Sequence, residues 1–382
     1  MAIDASATIS GGAVTHLVSI LKMIDIENSK FSEIHVWAPK NTLAKINNAS
    51  WLYKHDSIFI EKNYIIRALW QSLMLKKDVI KNDCDILLII GGSFSTNFRP
   101  IIVMNQNLIP FVWREIIQYK FSLITIKFLM LRIFQSLSFK SADGVIFLSK
   151  HAKEIVTSEI GANLHLTKII PHGIERNTFY KDSKKEVSQL NTNSEVFNLL
   201  YVSSVDYYKH QWNVVSAVSK ARSIGININI NFIGPGYKKA IHKLENTINQ
   251  FDPNRDYAHY LGAIPHEKIQ YYYNNADAFI FASTCETFGM ALVEAMSSGL
   301  PIICSNLKPM TDILGDGGFY FDPYDDESIA KAIITCHNSI EDRKKKSDIS
   351  FNRSLDYSWE HCADETFSFI EDVYIDYKGN SD

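Results

Sequence analysis

The sequence predicts an α/β protein with two doubly wound domains, each built on a parallel sheet. Three observations support this prediction. The 382 residues are enough for two domains of ordinary size. Hydrophobic residues make up 46% of the chain and charged residues 21%, as in globular proteins with buried cores. Short apolar runs alternate with helical stretches, which is the order of elements that a doubly wound sheet requires.

The first domain is predicted to begin with a short strand at residues 3–7. The loop Ser10-Gly11-Gly12 follows and leads into a helix. Two adjacent glycines let backbone amides approach an anion or a sugar, although a tight turn explains them equally well. Three further strands with helical stretches between them are predicted at 34–38, 57–60 and 86–90.

Asp83 and Asp85 form a D-x-D pair just before the strand at 86–90. Such pairs can hold Mg²⁺ or Mn²⁺. Ligands of parallel sheets gather at the carboxyl ends of the strands, whereas this pair precedes its strand. We therefore predict a solvated turn at this position and no metal site.

Residues 113–140 are predicted to form a long basic helix. Between 86 and 142 there are six basic residues and one acid, Glu115. Lys120, Lys127 and Arg132 alternate with aromatic and aliphatic residues, which suits a helix lying on an anionic membrane. A core helix with basic residues in solvent explains the same pattern, so both interpretations stay open. No recognised nucleic-acid motif accompanies the charge, which argues against a nucleic-acid partner.

Charge and cysteine usage restrict the partners and the compartment. Residues 1–180 carry a net charge of +6 and the remainder carries −9, so the first half should face an anionic partner. The five cysteines form no CxxC pair, which favours a reduced compartment. No apolar run of membrane-spanning length is present. We expect a cytoplasmic protein, peripheral at the inner face of the plasma membrane if the basic helix contacts lipid.

The second half begins after a polar linker at 181–196, with a strand at 197–202. Lys209 follows that strand, where its ammonium group could neutralise a diphosphate. Two more strands end in glycine turns, and a helix is predicted after the second. These elements lie at 226–233, 257–261 and 266–275.

Residues 276–306 form the most informative stretch, with a strand, a loop, a helix and another strand. Glu286 lies in the loop, and Glu294 lies on the helix predicted at 290–298. The first amides of a helix lack intrahelical partners, so those of Phe288, Gly289 and Met290 could hold a phosphate. A phosphate repels a carboxylate, so a carboxylate beside it is better suited to accept hydrogen bonds from sugar hydroxyl groups. This predicts a sugar at Glu286 and a ribose at Glu294.

The run Glu286-Thr-Phe-Gly-Met-Ala-Leu-Val-Glu294 resembles the E-x7-E signature of the family-4, or group 1, retaining glycosyltransferases. The resemblance covers nearly the whole chain. It implies the GT-B fold, with two Rossmann-like domains and a cleft between them. Residues 1–180 would bind the acceptor and 181–356 the donor, while the last helix, within 357–382, would return to the first domain.

The same resemblance implies roles for single residues. Glu286 and Lys209 would be catalytic, with Lys209 stabilising the leaving diphosphate. Ser204 stands where the family has an arginine, and Gln106 and Asn107 stand where it often has a histidine, so their amides become candidate contacts for sugar or acceptor hydroxyls. The donor would further contact Gly12, the main chain of Gly262 to Ile264, and the residues of the phosphate and ribose sites, Phe288, Gly289, Met290 and Glu294.

The function implied is retaining transfer of a hexose from a nucleoside-diphosphate sugar, without a metal or another cofactor. Mannose from GDP-mannose is the first guess, with a UDP-linked donor as the other choice. The acceptor would be a saccharide or a lipid-linked saccharide, in the synthesis of lipopolysaccharide O-antigen or another surface polysaccharide. A sugar-nucleotide epimerase of the same fold and a non-catalytic sugar-nucleotide-binding protein remain alternatives.

Overall fold

The computed structural model describes residues 1–175 and 196–380. The chain forms two compact units. The first unit contains Met1–Gly173 and Ser358–Asp382, so the end of the chain belongs to it, and the second contains Ile174–Tyr357. The domain boundary that the sequence predicts at 180, and nearly all of the linker at 181–196, lie outside the described residues.

The first unit is built on a sheet of seven parallel strands within the described residues, in the order β3-β2-β1-β4-β5-β6-β7. From β1 the chain fills the sheet in one direction and later resumes on the other side of β1, so the topological switch point lies between β1 and β4. The strands are β1 Ala2–Asp4, β2 Ile34–Trp37, β3 Leu52–His55, β4 Leu87–Ile89, β5 Ile101–Asn105, β6 Gly144–Phe147 and β7 Leu166–Ile169.

The helices of the first unit connect these strands. They are α1 Gly12–Met23, α2 Lys40–Leu43, α3 Tyr64–Trp70, α4 Lys76–Lys81, α5 Trp113–Ile117, α6 Leu123–Ser141 and α7 Lys150–Ile160. A π-helical turn, Gln71–Leu75, joins α3 to α4. The final helix of the described chain, α15, Trp359–Gly379, belongs to the same unit.

Two predicted elements of the first unit are wrong. Residues 57–60 form a turn, in which the amide of Ile60 donates to the carbonyl oxygen of Ser57 at 3.0 Å, and the strand lies earlier, at Leu52–His55. The predicted helix at 113–140 is divided into α5 and α6. Lys120 adopts a left-handed backbone (φ 53°), and Ser122 caps α6 by accepting from the amide of Thr125, so one helix ends and another begins.

The second unit repeats the architecture with six parallel strands among the described residues, in the order β10-β9-β8-β11-β12-β13. Its switch point therefore lies between β8 and β11. The strands are β8 Phe197–Val202, β9 Ile228–Ile233, β10 Ala258–Gly262, β11 Ala278–Phe281, β12 Ile302–Ser305 and β13 Gly318–Phe321. The helices are α8 Gln211–Ser223, α9 Lys238–Phe251, α10 His266–Asn275, α11 Met290–Ser297, α12 Met310–Leu314, α13 Asp326–Asn338 and α14 Ile340–Ser354.

The prediction of two doubly wound domains is confirmed. The central strands are buried along their whole length, as expected when helices cover both faces of a parallel sheet. These strands are β1, β4, β5 and β6 in the first unit and β11 and β12 in the second. The five cysteines are free and buried.

Candidate functional site

The carboxyl ends of β8 and β11 lie side by side at the switch point of the second unit. Lys209 ends a short 3₁₀ turn, Tyr207–Lys209, that follows β8, and Glu286 lies in the loop after β11. The ammonium group of Lys209 forms an ion pair with Oε1 of Glu286. The two side chains are only 7% and 13% exposed. Two charges in a poorly solvated site attract strongly, and removing either one leaves the other without compensation.

A buried tyrosine fixes the backbone on both sides of this ion pair. The hydroxyl group of Tyr201 donates to the carbonyl oxygen of Lys209 at 2.5 Å and accepts from the amide of Ala282 at 3.1 Å. Burial raises the pKa of Tyr201 well above its ordinary value, so the hydroxyl remains a donor. The amide of Thr284 also donates to the carbonyl oxygen of Tyr208 at 2.8 Å. The two loops therefore hold Lys209 and Glu286 in register.

Two aromatic rings border the Lys209 ammonium group. Its Nζ lies 4.9 Å from the ring centroid of Tyr208 and 4.9 Å from that of Phe281. A cation near aromatic faces keeps a favourable interaction while the rings exclude water. The cation is thus held at the sheet edge before any ligand arrives.

Gly289 places the start of α11 beside the ion pair. Its backbone is left-handed (φ 97°), which glycine adopts without strain. A Cβ atom at this position would lie 3.9 Å from Cγ of Glu286 and 3.9 Å from a ring atom of Phe281, so the requirement is conformational rather than steric. The amides at the start of α11 have no intrahelical carbonyl to donate to, which makes this edge suitable for an anion.

Phe288 and Glu294 have different surroundings. The Phe288 ring is buried and packs edge-on against Tyr357, with ring centroids 5.2 Å apart, so only its backbone is suited to ligand binding. Glu294 is half-buried on α11, where the hydroxyl group of Tyr273 donates to its Oε2 at 3.1 Å. Tyr273 is 1% exposed, and burial raises its pKa well above the ordinary value. This tyrosine, which sequence reasoning missed, orients the Glu294 carboxylate.

The loops after β8, β9 and β10 are joined at the same edge. The amide of Gly234 donates to the carbonyl oxygen of Gly262 at 2.8 Å, and a Cβ atom on Gly234 would lie only 2.1 Å from the carbonyl oxygen of Ser203. Gly262 itself has a left-handed backbone (φ 69°). Ser204 is exposed beside this junction, and Ile264 is half-buried two residues after Gly262. The structure therefore brings Ser204, Gly262 and Ile264 to the edge that carries Lys209 and Glu286.

Three of the predicted site residues lie in the first unit, at the carboxyl ends of its own strands. Gly12 is the exposed first residue of α1. Gln106 and Asn107 follow β5 and are half-buried. The Gln106 amide donates to Sδ of Met104 at 3.0 Å, and Oδ1 of Asn107 accepts from the amide of Ile109 at 3.1 Å. The side-chain oxygen of Asn107 thus already stabilises a turn.

Asp83 and Asp85 precede β4 and therefore lie at the amino edge of the sheet, as their sequence position predicts. Among residues 1–175 and 196–380, one group of three side chains could hold a metal ion, namely His16, His172 and Cys362 of the first unit. Nδ1 of His16 lies 3.1 Å from Nδ1 of His172, so one ring donates to the other. Burial raises the pKa of the Cys362 thiol to about 12, which keeps it protonated. The group fits a packed polar cluster better than a metal centre.

Comparisons with known proteins agree with this architecture. Residues 182–352 match the family model described as glycosyl transferases group 1. The chain is 33% identical over 109 residues to the O-antigen chain mannosyltransferase B of Escherichia coli, a match that covers 28% of this chain and 29% of the relative. It is 29% identical over 174 residues to the alpha-monoglucosyldiacylglycerol synthase of Acholeplasma laidlawii, covering 44% and 42% of the two chains. The chain thus spans less than half the length of both relatives.

A solved structure shares the fold over nearly the whole chain. It is Anabaena HepE in complex with UDP and glucose, which superposes with a TM-score of 0.71 at 18% sequence identity and covers 97% of this chain and 98% of its own. At this level of identity the likeness establishes the fold alone. The predicted GT-B fold is confirmed.

Proposed function

We propose that the chain transfers a sugar from a nucleoside-diphosphate sugar to an acceptor hydroxyl group. The proposal starts from the match of residues 182–352 to the glycosyl transferases group 1 model. The observation that carries this proposal is the buried ion pair of Lys209 and Glu286 at the switch point of that domain, next to the helix start at Gly289. A cation, the start of a helix and a carboxylate at one sheet edge match the diphosphate and the hydroxyl groups of such a donor.

The proposed reaction retains the configuration at the sugar carbon. The bond between the anomeric carbon and the diphosphate oxygen breaks, and a bond from that carbon to the acceptor oxygen forms on the same face. The acceptor proton passes to the departing phosphate oxygen. Lys209 and the α11 amides stabilise the negative charge that develops on the diphosphate, so no metal ion is required. Glu286 orients the sugar, Glu294 binds the ribose, and the main chain of Gly262 to Ile264 contacts the base.

We further propose a hexose donor, with GDP-mannose as the first candidate and UDP-glucose as the second. The mannosyltransferase relative supports the first, and the HepE complex with UDP and glucose supports the second. A saccharide or lipid-linked saccharide of a surface polysaccharide, such as lipopolysaccharide O-antigen, is the proposed acceptor. The first unit would bind it, with Gln106 and Asn107 as contacts, at the inner face of the plasma membrane. The epimerase and the non-catalytic binding protein are not favoured, since both curated relatives are named for transfer or synthesis.

The test is release of nucleoside diphosphate from each candidate donor, with and without membrane extract as the source of acceptor. We expect extract-dependent release from one donor. Glu286→Gln should lower turnover more than about tenfold while the affinity for the nucleoside diphosphate stays within about threefold, because this carboxylate acts on the sugar. Glu341→Gln, which changes an exposed glutamate on α14 of the same unit, serves as the matched control. Normal turnover of the Glu286 variant would remove its proposed role. Conversion of the donor into another sugar nucleotide, with no acceptor-dependent release of nucleoside diphosphate, would favour an epimerase.

A further inference from the structure

Helix α6 turns an apolar stripe toward solvent. Residues at spacings of three or four along this helix are between 45% and 84% exposed, namely Leu123, Ile126, Met130, Ile133 and Leu137. In a globular protein this spacing normally marks the face that packs on the core. The periodicity is therefore that of an amphipathic helix, but part of its apolar surface has no partner within its unit.

A second segment of the first unit extends this surface. Ile65, Leu69 and Leu73 follow one another at four-residue spacing along α3 and the π-helical turn, and they are 68%, 54% and 65% exposed. The ring centroids of Tyr64 on α3 and Phe134 on α6 lie 6.4 Å apart. The two segments are therefore neighbours. The sequence analysis did not identify α3 and the π-helical turn as part of such a surface.

The connection at residues 93–95 fixes the two segments to each other. The amide of Phe94 donates to Oγ of Ser138 on α6 at 3.0 Å, and Oγ of Ser95 donates to the carbonyl oxygen of Ala68 on α3 at 2.7 Å. We call the exposed apolar residues of these segments and of the region before α6 the apolar face. They are Ile65, Leu69, Leu73, Trp113, Ile117, Phe121, Leu123, Ile126, Met130, Ile133 and Leu137. Hydrogen bonds within the first unit thus hold its segments together.

The exposed charged residues at positions 113–141 are all basic. Lys120 and Lys127 are exposed, whereas Glu115, the only acid at positions 113–141, is 1% exposed. Arg132 does not belong to this set, because its guanidinium group lies 2.5 Å from the carboxylate of Glu159 and beside the Trp113 ring. The sequence prediction that grouped Arg132 with the two lysines is corrected in this respect.

We propose that the apolar face docks onto an anionic lipid bilayer, with its aliphatic and aromatic side chains in the interfacial region and Lys120 and Lys127 at the headgroups. Exposed apolar patches mark interaction surfaces, and the exposed lysines of positions 113–141, where the one acid is buried, fit anionic headgroups. A two-fold contact with a second copy would bring the same cations together across the interface. Among the described residues no helix is long and apolar enough to cross a membrane.

This inference rests on the proposed function in one respect, namely that docking would give the protein access to a lipid-linked acceptor. Binding itself is measured on the whole protein without any sugar donor. Loss of transferase activity in every preparation, with vesicle binding intact, would therefore overturn the proposed function and leave the docking surface standing.

Co-sedimentation with vesicles tests the apolar contribution. We use vesicles of phosphatidylcholine alone and of equal parts phosphatidylcholine and phosphatidylglycerol. The wild type should bind the anionic vesicles, and the triple variant Leu69→Ser, Ile126→Ser, Ile133→Ser should bind at least about tenfold more weakly. Ile224→Ser, which replaces a side chain 64% exposed in the second unit, is the matched control and should bind like the wild type.

The charge contribution has its own pair of variants. Lys120→Gln with Lys127→Gln should weaken binding to the anionic vesicles roughly fivefold per charge, and Lys331→Gln in the second unit should leave it unchanged. Wild type that stays in the supernatant with both kinds of vesicle would overturn the proposal. A vesicle-free dimer that the triple variant dissociates would also overturn it, because the apolar face would then belong to a second copy.

Discussion

Both units bury ionisable side chains, but the surroundings of these side chains act on charge in different ways. In the second unit, Lys209 and Glu286 face each other as an ion pair at the ends of β8 and β11. In the first unit, Asp4 ends β1 at 1% exposure and accepts from Gln71 at 2.5 Å, and burial raises its pKa. Burial also lowers the pKa of His16, and it lowers that of His172 to about 3. The second unit thus pairs two opposite charges, whereas burial in the first unit opposes charge on Asp4, His16 and His172.

This difference indicates which unit is suited to the departing diphosphate and which to the acceptor hydroxyl group of the proposed reaction. A departing diphosphate gains negative charge, and a preorganised cation lowers the cost of that step most. An acceptor hydroxyl group needs neutral or polar partners for hydrogen bonds and no strong counter-charge. Under the proposed function, the ion pair of the second unit suits the donor, and the polar groups at the strand ends of the first unit suit the acceptor.

The largest expected effect comes from removing the cation of the ion pair. Lys209→Ala should cost roughly 3–4 kcal/mol of transition-state stabilisation, because Ser204 near the same strand end is neutral and supplies no second positive charge. Steady-state kcat/KM for the donor measures this loss. Lys268→Ala, an exposed lysine on α10, is the control and should retain full activity. A Lys209→Ala enzyme within about threefold of wild type would break the comparison.

The same variant also leaves Glu286 without its partner in a poorly solvated site. Thermal unfolding should therefore show destabilisation of Lys209→Ala, and the double variant Lys209→Ala, Glu286→Gln should recover much of that stability. Activity should not recover in the double variant. EDTA should leave wild-type activity unchanged, since Asp83 and Asp85 precede their strand. Strong EDTA inhibition that Mn²⁺ reverses would show that a metal ion meets the charge instead.

The sequence predicted the two parallel sheets, and it predicted that a lysine, a glutamate and glycine turns follow the strands of the second sheet. Alternating apolar runs and glycine turns are local signals, which is why they could be read from the sequence. The ion pair itself was not predicted. Lys209 and Glu286 lie 77 positions apart, and only the adjacency of β8 and β11 brings them into contact. Sequence reasoning therefore gave each residue a separate ligand group. The structure adds that the two side chains form an ion pair with each other.

The failed predictions have local reasons as well. Ile58 and Phe59 read as strand residues because they are apolar, yet they are 68% and 44% exposed in a turn. The true edge strand, Leu52–His55, contains Lys54 and His55, which an edge position tolerates. Helical periodicity located α6, but periodicity alone does not tell which neighbour covers a face. The outward direction of its apolar stripe thus required the structure.

A smaller effect is expected at Glu294. Glu294→Ala should weaken nucleoside-diphosphate binding by roughly 1–3 kcal/mol, because the ribose hydroxyl groups lose their acceptor. Isothermal titration with GDP and with UDP measures it. Tyr273→Phe sharpens the test, since it removes the hydroxyl group that holds Oε2 and keeps the carboxylate. We expect an intermediate loss for this variant. Unchanged affinity of Glu294→Ala would make the residue part of the helix surface only.

The final prediction concerns the buried histidines of the first unit and appears in stability rather than in activity. His16 and His172 stay neutral in the folded protein, whereas in the unfolded chain each takes up a proton below its ordinary pKa of 6.5. Their contribution is therefore complete above pH 6.5 and is lost as the pH falls from there toward 3. The free energy of unfolding of the first unit should fall by about 1.4 kcal/mol per pH unit for each histidine in this window.

Calorimetric scans from neutral pH to mildly acidic pH test this slope, with the variant His172→Gln beside the wild type. The variant loses a hydrogen bond of 3.1 Å to His16 and should be less stable at neutral pH, but its stability should depend less on pH, because one of the two protonation sites is gone. His242→Gln changes an exposed histidine of the second unit and should keep the wild-type slope. Equal slopes for wild type and His172→Gln would mean that the pair accepts protons in the folded state. The first unit would then carry charge as the second does, and the contrast between the two units would disappear.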